Sequence, residues 1–474
     1  MELDTETVAK VYGWPPSDND EPEGAASSVP ELTELGNAAR LVAAHGTDLR
    51  YCHPWARWLV WDGRRWAIDD TGEVVRRAKA TIRALLVEAA EVEQKELRRK
   101  LVVHAERSQS DRAIKAVLSL AQSEPGVPVR HEQLDVDPWL LCLNNGTLDL
   151  RTGRLREHDR ADLITKLAPV DYDPDARCPL WLAFLERVLA GDSDLIEFVR
   201  RAVGYSLTGM TNEQVFFLLY GTGANGKTTF VETVRGLLGD YGLQSPAETF
   251  LERRDTIPND VARLRGARFV AATETPEGRR LNEPLVKRLT GGDKITARFM
   301  RAEWFEFDPM FKVWLATNHK PEIRGTDEAI WRRVRLIPFM VTIPEKERDG
   351  EFVNKLREEL PGILRWTVEG CQAWRADGLG EAEAVVAATS AYREDSDVLG
   401  GFIEDECELD PAAKTKASEL YTRFGYWCIA NGEEQMSQKA FGLALEERGF
   451  PKDRASGGTR MRSGLKLTVT DDAW

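Results

Sequence analysis

The clearest alternation of apolar and polar stretches lies in the middle of the chain. Short apolar runs recur at residues 215–220, 269–273, 313–317 and 334–337, with longer mixed stretches between them. Runs that are apolar throughout, bounded by Gly, Asn or charged residues, are the signature of strands covered on both faces. Behind the first run, Phe230, Val231, Val234, Leu237 and Leu238 recur at helical spacing and stop at Gly239, where a helix would end. Strands alternating with helices predict a parallel sheet in an α/β core.

The flanks carry different patterns. Residues 1 to about 30 are rich in Pro, Asp, Glu, Gly and Ser and lack the apolar content to order themselves, so a flexible tail is expected. Trp58-Leu-Val-Trp61 and Arg64-Arg-Trp66-Ala-Ile68 flank Asp62-Gly63, a dipeptide suited to a tight hairpin. The tryptophans there read as hairpin core in preference to a base-stacking platform. From Glu73 to about Gln122 the spacing predicts two or three helices, with Asp70 and Glu73 as the capping start. Pro125 to Pro128 breaks that pattern, Asn144-Asn-Gly146 reads as a turn between short strands, and residues 179–207 read as helical. Helical spacing returns at 353–374 and, after a variable stretch near 380–400, at 416–429 and 437–448. Glycines and basic residues at 457–467 suit a β wing, so the end of the chain is expected to be a winged helix. The expected divisions are a tail at 1–35, a mixed α+β, mainly helical domain at 36–205, an α/β core at 206–385 and a winged-helix domain at 386–474.

Composition narrows the class. No apolar run approaches a membrane span and the N-terminus is not basic-then-apolar, so an intracellular, cytoplasmic protein without a membrane partner is expected. Six separated cysteines without a CxxC pair make zinc or disulfide frameworks unlike this chain. The net charge of -14 disfavours nucleic acid only if charge acts globally, and screening over about 8 Å makes it local. Residues 252–301 hold twelve Lys/Arg against seven Asp/Glu, and residues 448–466 hold six against one. A phosphate backbone would dock there.

The chemistry concentrates behind the first run. Gly221-Thr222-Gly223-Ala224-Asn225-Gly226-Lys227-Thr228-Thr229 has glycines that let backbone N–H groups curl around phosphates. Lys227 would reach the outer phosphates and Thr228 would offer a hydroxyl to Mg2+, so a triphosphate such as ATP is the expected ligand. Glu274 ends the 269–273 strand, expected beside the P-loop strand, and is the candidate acid for the metal and for polarising water, with Glu277 as helper. Asn318 ends the 313–317 strand, where an amide can orient the attacking water. Arg332 and Arg333 open the last strand as candidates for an arginine finger acting on a neighbouring subunit's nucleotide. The alternative for this pair is an ion pair with Asp327 or Glu328. Asp135-Val-Asp137 and Asp171-Tyr-Asp173 sit in proline-containing loops and read as turn residues.

This P-loop, together with Ala272-Thr-Glu-Thr-Pro-Glu-Gly278, Lys287-Arg-Leu-Thr-Gly-Gly-Asp-Lys-Ile-Thr-Ala-Arg298 and Leu315-Ala-Thr-Asn-His-Lys-Pro321, resembles the superfamily 3 helicases. In particular it is similar to the helicase half of phage, plasmid and poxvirus primase-helicases, over residues from about 36 to 470. The resemblance implies an AAA+ core in a homo-hexameric ring that hydrolyses ATP between subunits and moves along single-stranded or forked DNA, usually 3′ to 5′. It implies a hairpin, from strands at 295–300 and 304–307, that points Lys294, Arg298 and Arg301 at DNA phosphates. The winged helix is compatible with origin DNA, a separate primase or the neighbouring subunit. With about 35 residues ahead of the matching part, priming is not expected. The competing reading is an origin-binding or helicase-loader ATPase that uses ATP as an assembly switch without unwinding.

Overall fold

The computed structural model describes residues 31–252, 258–273, 278–298, 304–323, 328–454 and 458–468. It divides into two compact units: one is built from the described residues of Met1–Val60 and Ile68–His131, the other from those of Trp61–Ala67 and Glu132–Trp474.

In the first unit, α1 (Glu34–His45) starts where the Thr33 hydroxyl accepts from Gly36 N at 3.0 Å. β1 (Leu49–Cys52) pairs antiparallel with β2 (Arg57–Trp61), Leu49 facing Val60 and Cys52 facing Arg57; the chain then passes through Trp61–Ala67 of the second unit, where β3 (Trp66–Ile68) begins. Three helices complete the first unit: α2 (Glu73–Glu91), α3 (Lys95–Ser108) and α4 (Asp111–Ala121). Leu41, Leu49, Val74, Ala78, Ile82 and Val117 bury their side chains together, as the helical spacing requires. The start of α2 differs from expectation. Gly72 is the N-cap, and the Asp69 carboxylate, not that of Asp70, accepts from Glu73 N at 2.8 Å and Val74 N at 2.9 Å. Glu73 turns outward to Arg76 and Arg77 at 2.8 and 3.0 Å.

The hairpin between β2 and β3 forms as expected, Asp62 Oδ1 accepting from Arg64 N and Arg65 N at 2.8 and 2.9 Å. Its Trp66 is fully buried and donates to Arg160 O at 2.9 Å, a core position that leaves no face for a base.

The second unit opens with a meander, β4 (Leu140–Cys142), β5 (Thr147–Asp149) and β6 (Arg154–Arg156), followed by α5 (Pro179–Val188) and α6 (Ser193–Leu207). The acid pairs expected to be turn residues behave so: Asp135 accepts from Thr165 N at 2.7 Å, Asp137 meets Arg151 at 2.6 Å, and Asp173 accepts from Asp175 N at 2.9 Å.

The core then threads β7 (Phe216–Tyr220), α7 (Lys227–Leu238), β8 (Gly242–Pro246), α8 (Pro258–Ala262), β9 (Phe269–Thr273), α9 (Glu283–Thr290), β10 (Ile295–Ala297), β11 (Phe305–Phe307), β12 (Lys312–Thr317), α10 (Glu328–Trp331) and β13 (Val334–Pro338). Five strands lie in the order β13-β7-β12-β9-β8, every pair parallel. Side chains alternate between two apolar layers: Phe217, Leu219 and Trp314 face α6 and α7, while Phe216, Leu218, Val313 and Leu315 face Leu289, Ile295 and Ile330. Two apolar faces explain why the strands read as unbroken runs. One expectation fails: β12 lies between β7 and β9, so the strand leading to Glu274 is one place removed from the P-loop strand.

At the starts of β9 and β12, the strand ends away from the P-loop, two cations are buried. Arg268 donates to Leu207 O at 2.6 Å and Leu140 O at 2.7 Å, and Lys312 Nζ to Thr208 O at 2.5 Å and Met210 O at 3.2 Å. Between them they satisfy carbonyls left open where α6 ends, and Arg268 also that of Leu140 in β4. Burial holds the Lys312 ammonium well below its ordinary range.

Beyond the core come α11 (Phe352–Glu358), α12 (Leu360–Asp377) and α13 (Glu383–Asp395). The last elements are α14 (Val398–Glu406), β14 (Cys407–Lys416), α15 (Ala417–Asn431), α16 (Gln438–Glu447), β15 (Lys452–Arg454) and β16 (Arg460–Leu467). Their antiparallel sheet runs β14-β16-β15, and Phe402, Leu420, Phe424, Phe441 and Leu465 form a separate apolar centre. Among the described residues no helix is long and apolar enough to cross a membrane.

Candidate nucleotide site

The P-loop forms where β7 ends. Gly223, Ala224 and Gly226 take φ of 114°, 48° and 85°, the left-handed turns that let a loop coil at a strand end. Gly221 permits a close approach: a Cβ there would lie 2.2 Å from Phe339 O. Asn225 is buried and ties the loop to the end of β13, its Nδ2 donating to Phe339 O at 3.0 Å. α7 then begins at Lys227, so its open N–H groups and the positive end of its dipole face the loop.

Lys227 is 5% exposed, and its ammonium donates to Gly221 O at 2.6 Å, Asn225 Oδ1 at 2.9 Å and Asn318 Oδ1 at 2.9 Å. Burial pushes its pKa down from 10.5 to about 8, because among the described residues no anion balances the desolvated charge. Asn318 reaches Lys227 because β12 is the parallel neighbour of β7, with Thr317 opposite Tyr220.

A cavity of about 510 Å³ opens over this cluster. Gly223 to Thr229 and Asn318 line one side, and Leu180, Phe184, Ile343 and Phe352 supply apolar wall. Gly221 and Thr222 shape the loop without lining the cavity. Arg187, Glu347, Arg348 and Asp349 stand at its rim, with Arg187 and Glu347 paired at 3.2 Å. The α5 wall is fixed from outside by Glu359, which accepts from Leu180 N at 3.0 Å and Trp181 N at 2.9 Å. Sequence reasoning missed these walls, since an apolar helix face lining a ligand cavity has the same spacing as one lining a core.

Glu274, Glu277, Arg301 and Asp327 lie outside the described residues. Arg332 and Arg333 do not meet the P-loop of their own chain. They precede β13, whose first residue Val334 faces Phe216 at the start of β7, so a strand of roughly 17 Å separates them from Gly221. The structure also separates the two. Arg333 is 7% exposed and donates to Thr290 Oγ1 at 3.0 Å and Ala329 O at 2.5 Å. Arg332 is exposed, with Gln214 Oε1 at 3.4 Å. Glu328, one acid weighed as their partner, meets Arg393 at 3.0 Å.

β10 and β11 pair antiparallel, Ile295 facing Phe307 and Ala297 facing Phe305, so the expected hairpin exists at its base. Residues 299–303 of it lie outside the described residues. Lys294 and Arg298 are exposed. The two basic windows are less available than their counts imply: Arg268 in the first and Arg462 in the second are 4% exposed and bonded to backbone carbonyls.

A parallel sheet with a lysine-bearing glycine loop and a neighbouring polar strand end defines a P-loop-like α/β core. Comparison with known proteins carries this further. A family model described as D5 N terminal like matches residues 38–190, and a family of unknown function (DUF5906) matches residues 219–333. A "Putative helicase" of Acanthamoeba polyphaga mimivirus is 27% identical over 323 residues, covering 63% of this chain and 34% of that protein. A "Putative helicase" of Frog virus 3 is 26% identical over 384 residues, covering 63% of this chain and 39% of that protein. A "Putative primase" of African swine fever virus is 25% identical over 328 residues, covering 63% and 34%. The chain spans little more than a third of the length of these relatives. The apo structure of the NrS-1 C terminal region shares its fold at a TM-score of 0.52 and 10% identity, over 92% of this chain and 100% of that one. In sequence the chain is similar to viral proteins named as putative helicases and primases, with a D5 N terminal like segment.

Proposed function

We propose that the chain is the motor of an ATP-dependent, superfamily 3 DNA helicase of the AAA+ class, acting in the replication of a phage or mobile element. The observation that carries the reading is a division across the sheet. Lys227 and Asn318 meet at one end of adjacent strands, while exposed Arg332 sits at the other, away from its own P-loop and open to the nucleotide of another copy of the chain.

ATP would lie in the cavity, its phosphates on the N–H groups of Gly223 to Thr229 and its base against Leu180, Phe184 and Phe352. Mg2+ fits the exposed Thr228 hydroxyl at the start of α7, with Glu274 as its further carboxylate, and would neutralise phosphate charge. Lys227 releases its three neutral acceptors for the phosphates, which leaves the Asn318 amide to orient water. Arg332 of the adjoining subunit completes the charge stabilisation, worth ~10³ to 10⁵ in rate for such fingers. A homo-hexamer places one such seam between each pair of subunits and gathers the β10–β11 hairpins around single-stranded DNA, with movement 3′ to 5′. Crowding six copies of Lys294, Arg298 and Arg301 into one pore makes the local charge positive despite the net -14 of the chain. The α14–β16 segment supports a winged helix, through which origin DNA or a primase would be engaged.

A forked-DNA strand-displacement assay tests the reading. The chain should displace the strand with ATP, and Lys227→Ala should lose both hydrolysis and displacement. Hydrolysis with no displacement by the unmodified chain would instead establish a loader.

A further inference from the structure

The exposed face of the β10–β11 hairpin holds a feature that the reading of its lysines and arginines leaves unused. Ile295, Ala297 and Phe307 pack into the core layer under the sheet, so the alternate positions Thr296, Arg298, Trp304 and Glu306 point to solvent. Extending the register from Ala297–Phe305 by one rung sets Arg298 opposite Trp304. The Arg298 guanidinium lies over the Trp304 ring, 4.7 Å from its centroid. Trp304 is 55% exposed, and no other tryptophan among the described residues is exposed. An indole this exposed, with a guanidinium over its ring, presents an aromatic face beside a cation.

We infer that Trp304 is a base-stacking platform for single-stranded DNA, with Arg298 held over one face of the indole to take the adjoining phosphate while a base stacks on the other. The inference rests on the reading of the hairpin as the DNA-facing element. An indole offers a π-face that every base matches, so contact would be tolerant of sequence. The guanidinium over the ring is preorganised by cation–π attraction and keeps its remaining donors for phosphate. Glu306, two rungs back along the hairpin on the same face, meets Thr296 Oγ1 at 3.5 Å. Its negative charge disfavours phosphate there and confines the strand to the Arg298–Trp304 rung. Phosphate contact alone would leave a helicase with no grip on the bases. Stacking supplies a second, salt-insensitive hold on each nucleotide.

The test compares two probes in the presence of a non-hydrolysable ATP analogue: a labelled oligothymidylate and a chain of abasic sites with the same number of phosphates. The unmodified protein should bind the thymidylate more tightly. Trp304→Ala and Trp304→Leu should weaken thymidylate binding roughly 5- to 150-fold, the range for losing one base stack, and erase the difference between probes. Trp304→Phe should keep most of the preference. Leucine would serve a purely packing role, so retained preference in Trp304→Leu overturns the inference even where the alanine variant folds poorly. If Arg298→Ala weakens both probes while Trp304→Ala leaves their ratio unchanged, the hairpin binds DNA without stacking and the inference is wrong. If Arg298→Ala affects neither probe, the hairpin is not the DNA contact, and both readings fail.

Discussion

If the P-loop holds a nucleotide as proposed, its buried lysine should make that binding depend on pH in a way an ordinary lysine would not. Burial lowers the Lys227 pKa from 10.5 to about 8 in the empty site, while the phosphates of a bound nucleotide favour the charged form and raise it. Binding is therefore linked to proton uptake, and affinity falls as pH rises through 8. With a pKa of about 8, roughly nine-tenths of sites carry the charge at pH 7 and about one-tenth at pH 9. The apparent Kd should then rise about tenfold over that interval, or ~1.4 kcal/mol. Calorimetric titration with an ATP analogue and Mg2+ at constant ionic strength from pH 7 to 9.5 measures this directly. Lys227→Arg keeps its charge throughout, so any residual binding should lose that dependence. A Kd for the unmodified protein that stays flat to pH 9.5 would refute the reasoning, because it would mean that the ammonium is not desolvated.

The two neighbouring arginines should part company. Arg332→Ala should lower hydrolysis ~10³-fold or more while ATP binding persists, whereas Arg333→Ala should reduce unfolding free energy by roughly 2–4 kcal/mol in denaturant titration, since it strips the donor from Thr290 Oγ1 and Ala329 O. Gly226→Ala meets both a φ of 85° and contacts of 2.7 Å to Val188 and 2.9 Å to Phe184. It should cost roughly 1–3 kcal/mol of stability and distort the loop enough to lose nucleotide. Asp69→Ala should destabilise by about 1 kcal/mol through loss of the α2 cap, and Asp70→Ala should leave the melting curve in place.

What the sequence made legible follows from which interactions are local. The P-loop, its strand and its helix announce themselves because glycine turns and apolar periodicity are written in consecutive residues. Strand β8, Gly-Leu-Gln-Ser-Pro, does not, because an edge position buries too little to demand an apolar run. The order of strands is a tertiary property, so nothing local revealed that β12 would stand between β7 and β9 and bring Asn318, rather than the end of β9, against Lys227. The stretch near 380–400 read as variable, yet α13 and α14 form there, because α13 buries only Val385 and Tyr392 and its spacing is correspondingly faint. Basic windows were overcounted for a similar reason. Charge is visible in sequence, but the burial of Arg268 and Arg462 against carbonyls depends on partners 61 and 20 residues away.

The central claim is that one subunit's Lys227 and another subunit's Arg332 build a single catalytic seam, and mixing two inactive variants tests it most directly. Lys227→Ala and Arg332→Ala proteins should each hydrolyse little ATP alone. Mixed in equal amounts under conditions that allow subunit exchange, about one quarter of seams would pair an intact lysine with an intact arginine, so DNA-stimulated hydrolysis should recover towards a quarter of the unmodified rate. A mixture no more active than its components, with exchange confirmed, would contradict the claim.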